Sequence, residues 1–234
     1  WVDPDKPFTI YLALHNHNRH GENVTIVNDF SDLGDINTRY VSTANPENIR
    51  DAYVEGPEAQ VKFLRYMLKI VFDNEKEDMN DYELIPLAQV IRDGDTIMYN
   101  RQFIPPTVTL NAIPELARVV KDVRDEVMGR ALQLSSYKAP VHAKREFDAN
   151  LLRYKMALQS LSRFVPRLFH ASETGNVHPW FVYGILRELA GEVSTFTDRV
   201  SVLGETSDGQ RLLPSYSHTD LGNCFASASS LITQ

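Results

Sequence analysis

Residues 96–116 read Thr96-Ile97-Met98-Tyr99-Asn100-Arg101-Gln102-Phe103-Ile104-Pro105-Pro106-Thr107-Val108-Thr109-Leu110-Asn111-Ala112-Ile113-Pro114-Glu115-Leu116, and the pattern of the chain changes inside them. Before this stretch, short runs rich in β-branched and aromatic residues are separated by turn-formers, as in an antiparallel sheet. Pro105 and Pro106 cannot donate to a ladder and end that region. After it, Ile113, Leu116, Val120, Val123, Val127, Ala131 and Leu134 recur at spacings of three and four, one apolar stripe of a helix. Pro114 suits its first turn. The expectation is an α+β protein: an antiparallel β-sandwich-like half over residues 1–111, then an antiparallel four-helix bundle over 112–234.

On the β side, Phe8–Leu14 follows Pro7 and reads as a strand, and Asn37–Thr43 and Ile49–Val54 flank the turn-former Asn45-Pro46. Phe63–Phe72 is a longer candidate. Leu84–Arg92 and Thr96–Asn100 enclose Asp93-Gly94-Asp95, a hairpin signal. Segment 22–35 lacks a sustained period and reads as loop, with room for one helical turn. On the helical side a second stripe runs Phe147, Leu151, Tyr154, Leu158, Leu161, Val165, Leu168, with Pro166 expected to kink or end it. A third starts at His178-Pro179 and continues through Val182, Ile185, Leu189, Val193 and Phe196; Gly184 and Gly191 suggest close helix approach there. A fourth starts near Thr219 or Asp220, with Leu221, Phe225, Ala228 and Ile232 inward.

Charge follows the same division. Residues 1–111 carry 10 Lys and Arg against 18 Asp and Glu, and residues 112–234 carry 14 against 13. So acidic a first half argues against binding nucleic acid or an anionic bilayer. The basic residues of the second half alternate with acids, as on a solvated helix face. The 234 residues are 43% hydrophobic and 24% charged, a globular composition with room for a sizeable core. The most apolar run, Tyr66–Phe72, is broken by Lys69, so no membrane-spanning segment is expected. Cys224 is the single cysteine, which fits a reducing compartment. Opening at Trp1 without a signal sequence, and closing on Gln234 within an apparent helix, the chain reads as a piece of a longer protein.

Chemistry-bearing clusters are few. His15-Asn16-His17-Asn18-Arg19-His20 is the most metal-like, since His15 and His17 on a strand would share a face. No cysteine pair or spaced carboxylate completes a ligand set, and a polar strand end is the plainer reading. Cys224 with His218 and Asp220 contains the residue types of a nucleophilic triad, but on one short turn, where such groups seldom align. A small buried thiol is the ordinary explanation. Glu188, Glu192 and Asp198 could suggest a carboxylate site; with Arg187 adjacent, surface charge or a structural pair is the simpler account. Trp180-Phe181 beside Tyr183 reads as core or junction packing rather than a ligand cage. Glycine-rich phosphate loops are absent, and Asn23-Val24-Thr25 is a short glycosylation pattern without a secretory signal. No catalytic residue, metal ligand or cofactor-binding residue is assigned on these grounds.

Several stretches in shared order resemble the TssK family of type VI secretion baseplate proteins (ImpJ/VasE-like). They are Phe8–Leu14, Ile85-Pro86-Leu87-Ala88-Gln89-Val90, Asp93–Asn100 with Phe103-Ile104-Pro105-Pro106, His178–Tyr183 with Leu189–Phe196, and Pro214–Gly222. The family's segment before the first of these strands and its C-terminal domain have no counterpart here, and His15-Asn16-His17 replaces the family's usual Pro-containing continuation. The resemblance implies a cytoplasmic, homotrimeric structural adaptor without enzymatic activity or cofactor. Its N-terminal sandwich would attach to the TssF–TssG wedge, and its C-terminal domain to the TssL–TssM membrane complex. No partner-binding residue carries over to a numbered position. Permanent interfaces of this kind bury roughly 2,000 Å² or more. The alternatives are a metal-dependent enzyme using His15 and His17, or a carbohydrate- or peptide-binding sandwich module.

Overall fold

The computed structural model describes residues 6–31, 33–34, 36–53, 55–138 and 148–233. It is an α+β structure that divides into two compact units, Trp1–Asn100 and Arg101–Gln234. The composition break at 111 therefore falls inside the second unit. The reason is packing: Ile104 and Leu110, which follow the last strand, are buried in the helical core. The residues Val54, Phe147 and Gln234 used in the sequence reading lie outside those described.

In the first unit, a four-stranded antiparallel sheet has the order β7 (Leu68–Phe72), β1 (Phe8–His15), β8 (Tyr82–Asp93), β9 (Thr96–Tyr99). β1 pairs Ile10 with Phe72 and Leu12 with Ile70 on one side, and Ile10 with Ala88 and Leu12 with Ile85 on the other. A register shift between Ile10 and Tyr11 marks a bulge opposite Pro86, which has no N–H to give the ladder. The hairpin turns at Gly94, whose φ of 60° suits a residue without Cβ. Tyr11, Ala13 and Val71 form a small core on one face, joined by Met79, Tyr82 and Leu84.

A second sheet joins β2 (Val24–Val27), β3 (Tyr40–Thr43) and β6 (Arg65–Tyr66), and β4 (Glu47–Ile49) pairs β5 (Ala59–Val61) as a two-stranded ribbon. The expectation of purely antiparallel strands is corrected here, because β2 and β3 run parallel. Segment 22–35 holds a strand rather than only loop, and Phe63–Phe72 is split at Met67, whose N–H leaves to the Arg39 carbonyl. Residues 50–53 are not strand.

The second unit holds α1 (Pro114–Leu134), α2 (Ala149–Thr174), α3 (Pro179–Ser194) and α4 (Leu221–Thr233). Pro114 and Pro179 open their helices, and the Asp148 carboxylate caps α2 by accepting from the Asn150 and Leu151 N–H groups. Pro166 does not end α2, which continues to Thr174 and stops at Gly175 with φ 60°. A Cβ there would fall 1.5 Å from Asn111 Nδ2. One core unites Leu116, Val120, Val123 and Val127 with Leu161, Phe164, Leu168, Val182, Leu186, Leu189, Phe225 and Ala228.

α1 packs on α2 and α4, and α3 packs on the same two. The chain directions differ from the expected antiparallel bundle. Gly222, at the start of α4, approaches the Gln102 carbonyl in the segment that leads toward α1, while Arg130 late in α1 donates to the Thr233 carbonyl at 2.7 Å. Tyr183 and Phe225, early in α3 and α4, have ring centroids 5.6 Å apart. α4 thus runs parallel to both neighbours. The physical reason is the long connection over residues 195–220, which carries the chain back along α3 before α4 starts. Gly191 serves that return: its Cβ would lie 2.9 Å from the Val202 carbonyl oxygen, a connector atom rather than a helix. A Cβ at Gly184 would meet open space, so close packing does not explain that glycine.

Replacing Leu186, fully buried, by Ala is expected to cost about 2–5 kcal/mol, read as a lower urea midpoint of the helical circular-dichroism signal. Ile97→Ala, at a side chain 63% exposed, is expected to change stability by no more than about 0.5 kcal/mol.

Candidate interaction surface

The structure disperses the metal-like cluster. β1 ends at His15, so His17 lies beyond the strand and strand alternation does not put the two side chains on one face. His15 Nδ1 is 2.8 Å from the Asn16 carbonyl oxygen, and its ring meets Tyr82 edge-on at 4.9 Å. Asn18 accepts from the His20 N–H, and Asn23 accepts from the Asn18 N–H, which folds the rest into a local turn. Among the described residues, no group of three or more His, Cys, Asp or Glu is placed to hold a metal ion.

The triad residue types do not converge either. Cys224 is buried on α4, where its thiol accepts from the Ser217 N–H at 3.3 Å and donates toward the Ser215 carbonyl at 3.5 Å. Burial pushes the thiol up from its ordinary value, opposite to what a nucleophile needs. His218 turns to the Tyr216 hydroxyl at 2.7 Å, and Asp220 accepts from Asn223 Nδ2 at 3.1 Å.

Glu188 and Glu192 are cross-links from α3 to α2. Glu188 pairs with Arg167, not with the adjacent Arg187, and Glu192 accepts from the Ser160 hydroxyl at 2.8 Å with Arg163 at 3.7 Å. Asp198 lies past the end of α3, exposed in the connector. Exposed pairs of this kind contribute about 0–1 kcal/mol each. Trp180 and Phe181 are 54% and 60% exposed, so the expectation of core packing fails for both; only Tyr183 is buried. The helix turns the first two outward, beside a groove of about 280 Å³ shared with Arg167, Arg187 and Tyr216.

What the first unit offers is a face. Strand alternation and register put Phe8, Ile10, Leu12 and Leu14 of β1 beside Phe72, Ile70 and Leu68 of β7. Ile85, Ala88 and Val90 of β8 lie on the other flank, followed by Tyr99 and Ile97 of β9. Charge enters this face only at its ends, through Glu83 and Arg92. Leu68, Ile70, Phe72, Ile85, Ile97 and Tyr99 are all exposed. At a strand spacing of about 4.8 Å and a rise of about 3.4 Å per residue, four strands cover roughly 450 Å². A patch of that size is of the order of the largest apolar patches on protein surfaces, which often serve function. Sequence reading named these residues as strand but missed the face, because it needs the pairing register to assemble it.

The family model for bacterial type VI secretion proteins (VC_A0110, EvfL, ImpJ, VasE) matches residues 1–234. The chain belongs to the TssK family. The type VI secretion system baseplate component TssK1 of Pseudomonas aeruginosa is 26% identical over 154 residues, covering 65% of this chain and 32% of that protein. The chain therefore spans about a third of the length of this curated TssK relative. A crystal structure of TssK is similar in fold at TM-score 0.74 and 21% identity, over 99% of this chain and 51% of that one. A chain of the cryo-electron-microscopy TssK–TssF–TssG baseplate subcomplex matches at 0.73 and 22%, over 97% and 67%. A chain of a type VI secretion baseplate complex matches at 0.75 and 22%, over 98% and 69%. No helix among the described residues is long and apolar enough to cross a membrane.

In the native protein Cys224 is expected to react with an aromatic disulfide reagent at least about tenfold more slowly than in urea, followed by thione absorbance. Equal rates would mean that α4 does not shield it.

Proposed function

We propose that this TssK-family chain is part of a structural adaptor of the type VI secretion baseplate, holding the TssF–TssG wedge and joining it to the TssL–TssM membrane complex. The observation that carries the reading is the family match along the whole chain. The largely apolar sheet face supports it, since a scaffold works through broad complementary surfaces and not through a pocket of converging polar groups. Its relatives point the same way: TssK1 is a baseplate component, and one structural neighbour was solved together with TssF and TssG. In this reading the β half through Asn100 is a partial sandwich-like domain and the half from Arg101 a helical middle domain, here with α4 parallel to its neighbours. The whole protein works as a cytoplasmic homotrimer, without catalysis or cofactor.

The test is affinity capture of the full-length protein co-expressed with TssF and TssG, with mass measured by multi-angle light scattering. Stoichiometric co-elution and a trimeric mass for the adaptor alone are expected. A monomer that elutes without either partner would overturn the proposal.

A further inference from the structure

The N-terminus of α3 and the segment leading into α4 meet through two imidazoles. The His178 and His218 rings stack with centroids 5.1 Å apart and planes 14° from parallel. Both side chains are half-buried. His178 caps α3 through Nδ1, which accepts the Trp180 N–H at 3.1 Å. That bond requires a free lone pair on Nδ1, and hence a neutral ring with its proton on Nε2. His218 is held by the Tyr216 hydroxyl, 2.7 Å from its Nδ1.

We propose that the stacked His178–His218 pair is a pH-sensitive latch, holding the segment before α4 against α3 when neutral and releasing it when protonated.

Protonation acts on the seam in three ways. It removes the lone pair that caps α3. It places a cation at the helix end where the backbone N–H groups already point positive charge. It sets two like charges about 5 Å apart in a partly desolvated contact. The groups packed around the pair do little to offset this. Tyr183, whose hydroxyl donates to the Pro214 carbonyl, is pushed up to about 12 by burial and stays neutral. Tyr216 and the Cys224 thiol are likewise raised by burial and stay neutral. Arg187 of α3 and Arg211 of the connector add positive charge near Tyr183. On the α2 side, Arg167 is paired with Glu188. Asp220 is the carboxylate nearest in sequence to His218, and it is engaged by Asn223.

The sign follows from the direction of the His218 shift. Burial, and then its neighbour His178, hold its imidazole below the ordinary value of 6.5. The unfolded or opened segment therefore binds a proton first. The latch is closed above about pH 6.5 and weakens as pH falls from there toward the depressed value.

The same segment covers Cys224, through the Ser217 N–H and the Ser215 carbonyl, so access to this single cysteine reports opening. The rate of its reaction with 4,4′-dithiodipyridine would be followed between about pH 7.5 and 5.0. Dividing by the rate of a free cysteine peptide at each pH removes the thiol's own titration. The protection is expected to fall on the order of tenfold between about pH 6.5 and 5.5, with far-UV circular dichroism unchanged. In the double variant His178→Asn, His218→Gln, the Asn keeps a cap acceptor and the Gln keeps a partner for Tyr216, but neither titrates, and the step should vanish. His218→Gln alone leaves the cap untouched but removes the like-charge contact, so it should shrink the step without abolishing it, which keeps the test open if the double variant folds poorly. A pH-independent protection in the wild type, an equal step in either variant, or loss of helix over the same range would overturn the proposal.

Discussion

The helical unit depends on where the connector ends, and one buried hydroxyl fixes that point. Tyr183 is 1% exposed and its O–H donates to the Pro214 carbonyl. Left without an acceptor at that depth, it would cost about 1–3 kcal/mol. The bond anchors the connector beside the first turns of α3, so α4 must start there and run the same way as α3. The ring of Tyr183 then packs on Phe225 and Tyr216, joining α3, α4 and the connector in one aromatic contact. Reversal of α4 would carry Phe225 away from Tyr183 and Thr233 away from Arg130, both of which the parallel arrangement satisfies.

The β unit is organised by the opposite circumstance, a surplus of apolar surface. Among the described residues, one face of the four-stranded sheet has a small core of Tyr11, Ala13 and Val71 joined by Met79, Tyr82 and Leu84, edged by Lys69, which donates to Asn37 and Tyr82. The other face carries larger side chains and less cover. Ordinary antiparallel sheets with one wet face place polar residues on it. Here the described strands carry apolar residues on both faces. Such side chains are a liability on an isolated domain and become contact area only where another surface covers them.

Legibility in the sequence followed the range of the interaction. β1, the β8–β9 hairpin and all four helices were readable because their signals are local: alternation, Gly94 in a turn, proline at a first helical position. β2 was not, because four residues pairing in parallel with β3 gain their stability from a partner far along the chain. The periodicity gives α3 an inward face of Val182, Ile185, Leu189, Val193 and Phe196; Val182 and Leu189 are fully buried, but Tyr183, Leu186 and Ala190 lie deeper than the other three. Two helices and the connector compete for that surface, and periodicity alone cannot say which wins. On α2 the stripe was read through Tyr154, but that ring stacks on Tyr137 at the exposed end of the unit. The direction of α4 was invisible, since a connector of that length permits either orientation until Tyr183 and Gly191 are placed in space.

The candidate chemical residues show the same limit from another side. Histidine, cysteine and glutamate attract attention because they can do chemistry, but each has a structural use that absorbs it. Glu192 is bound by Ser160 and Arg163, Glu188 by Arg167, Cys224 by two backbone groups, and His15 by Tyr82. A reactive site needs the reverse, polar groups held together with bonding capacity to spare for a ligand. Among the described residues, the exposed apolar groups include six side chains of the sheet face and the outward rings of Trp180 and Phe181. Such groups contribute free energy only when another surface covers them, and that condition ties their use to assembly.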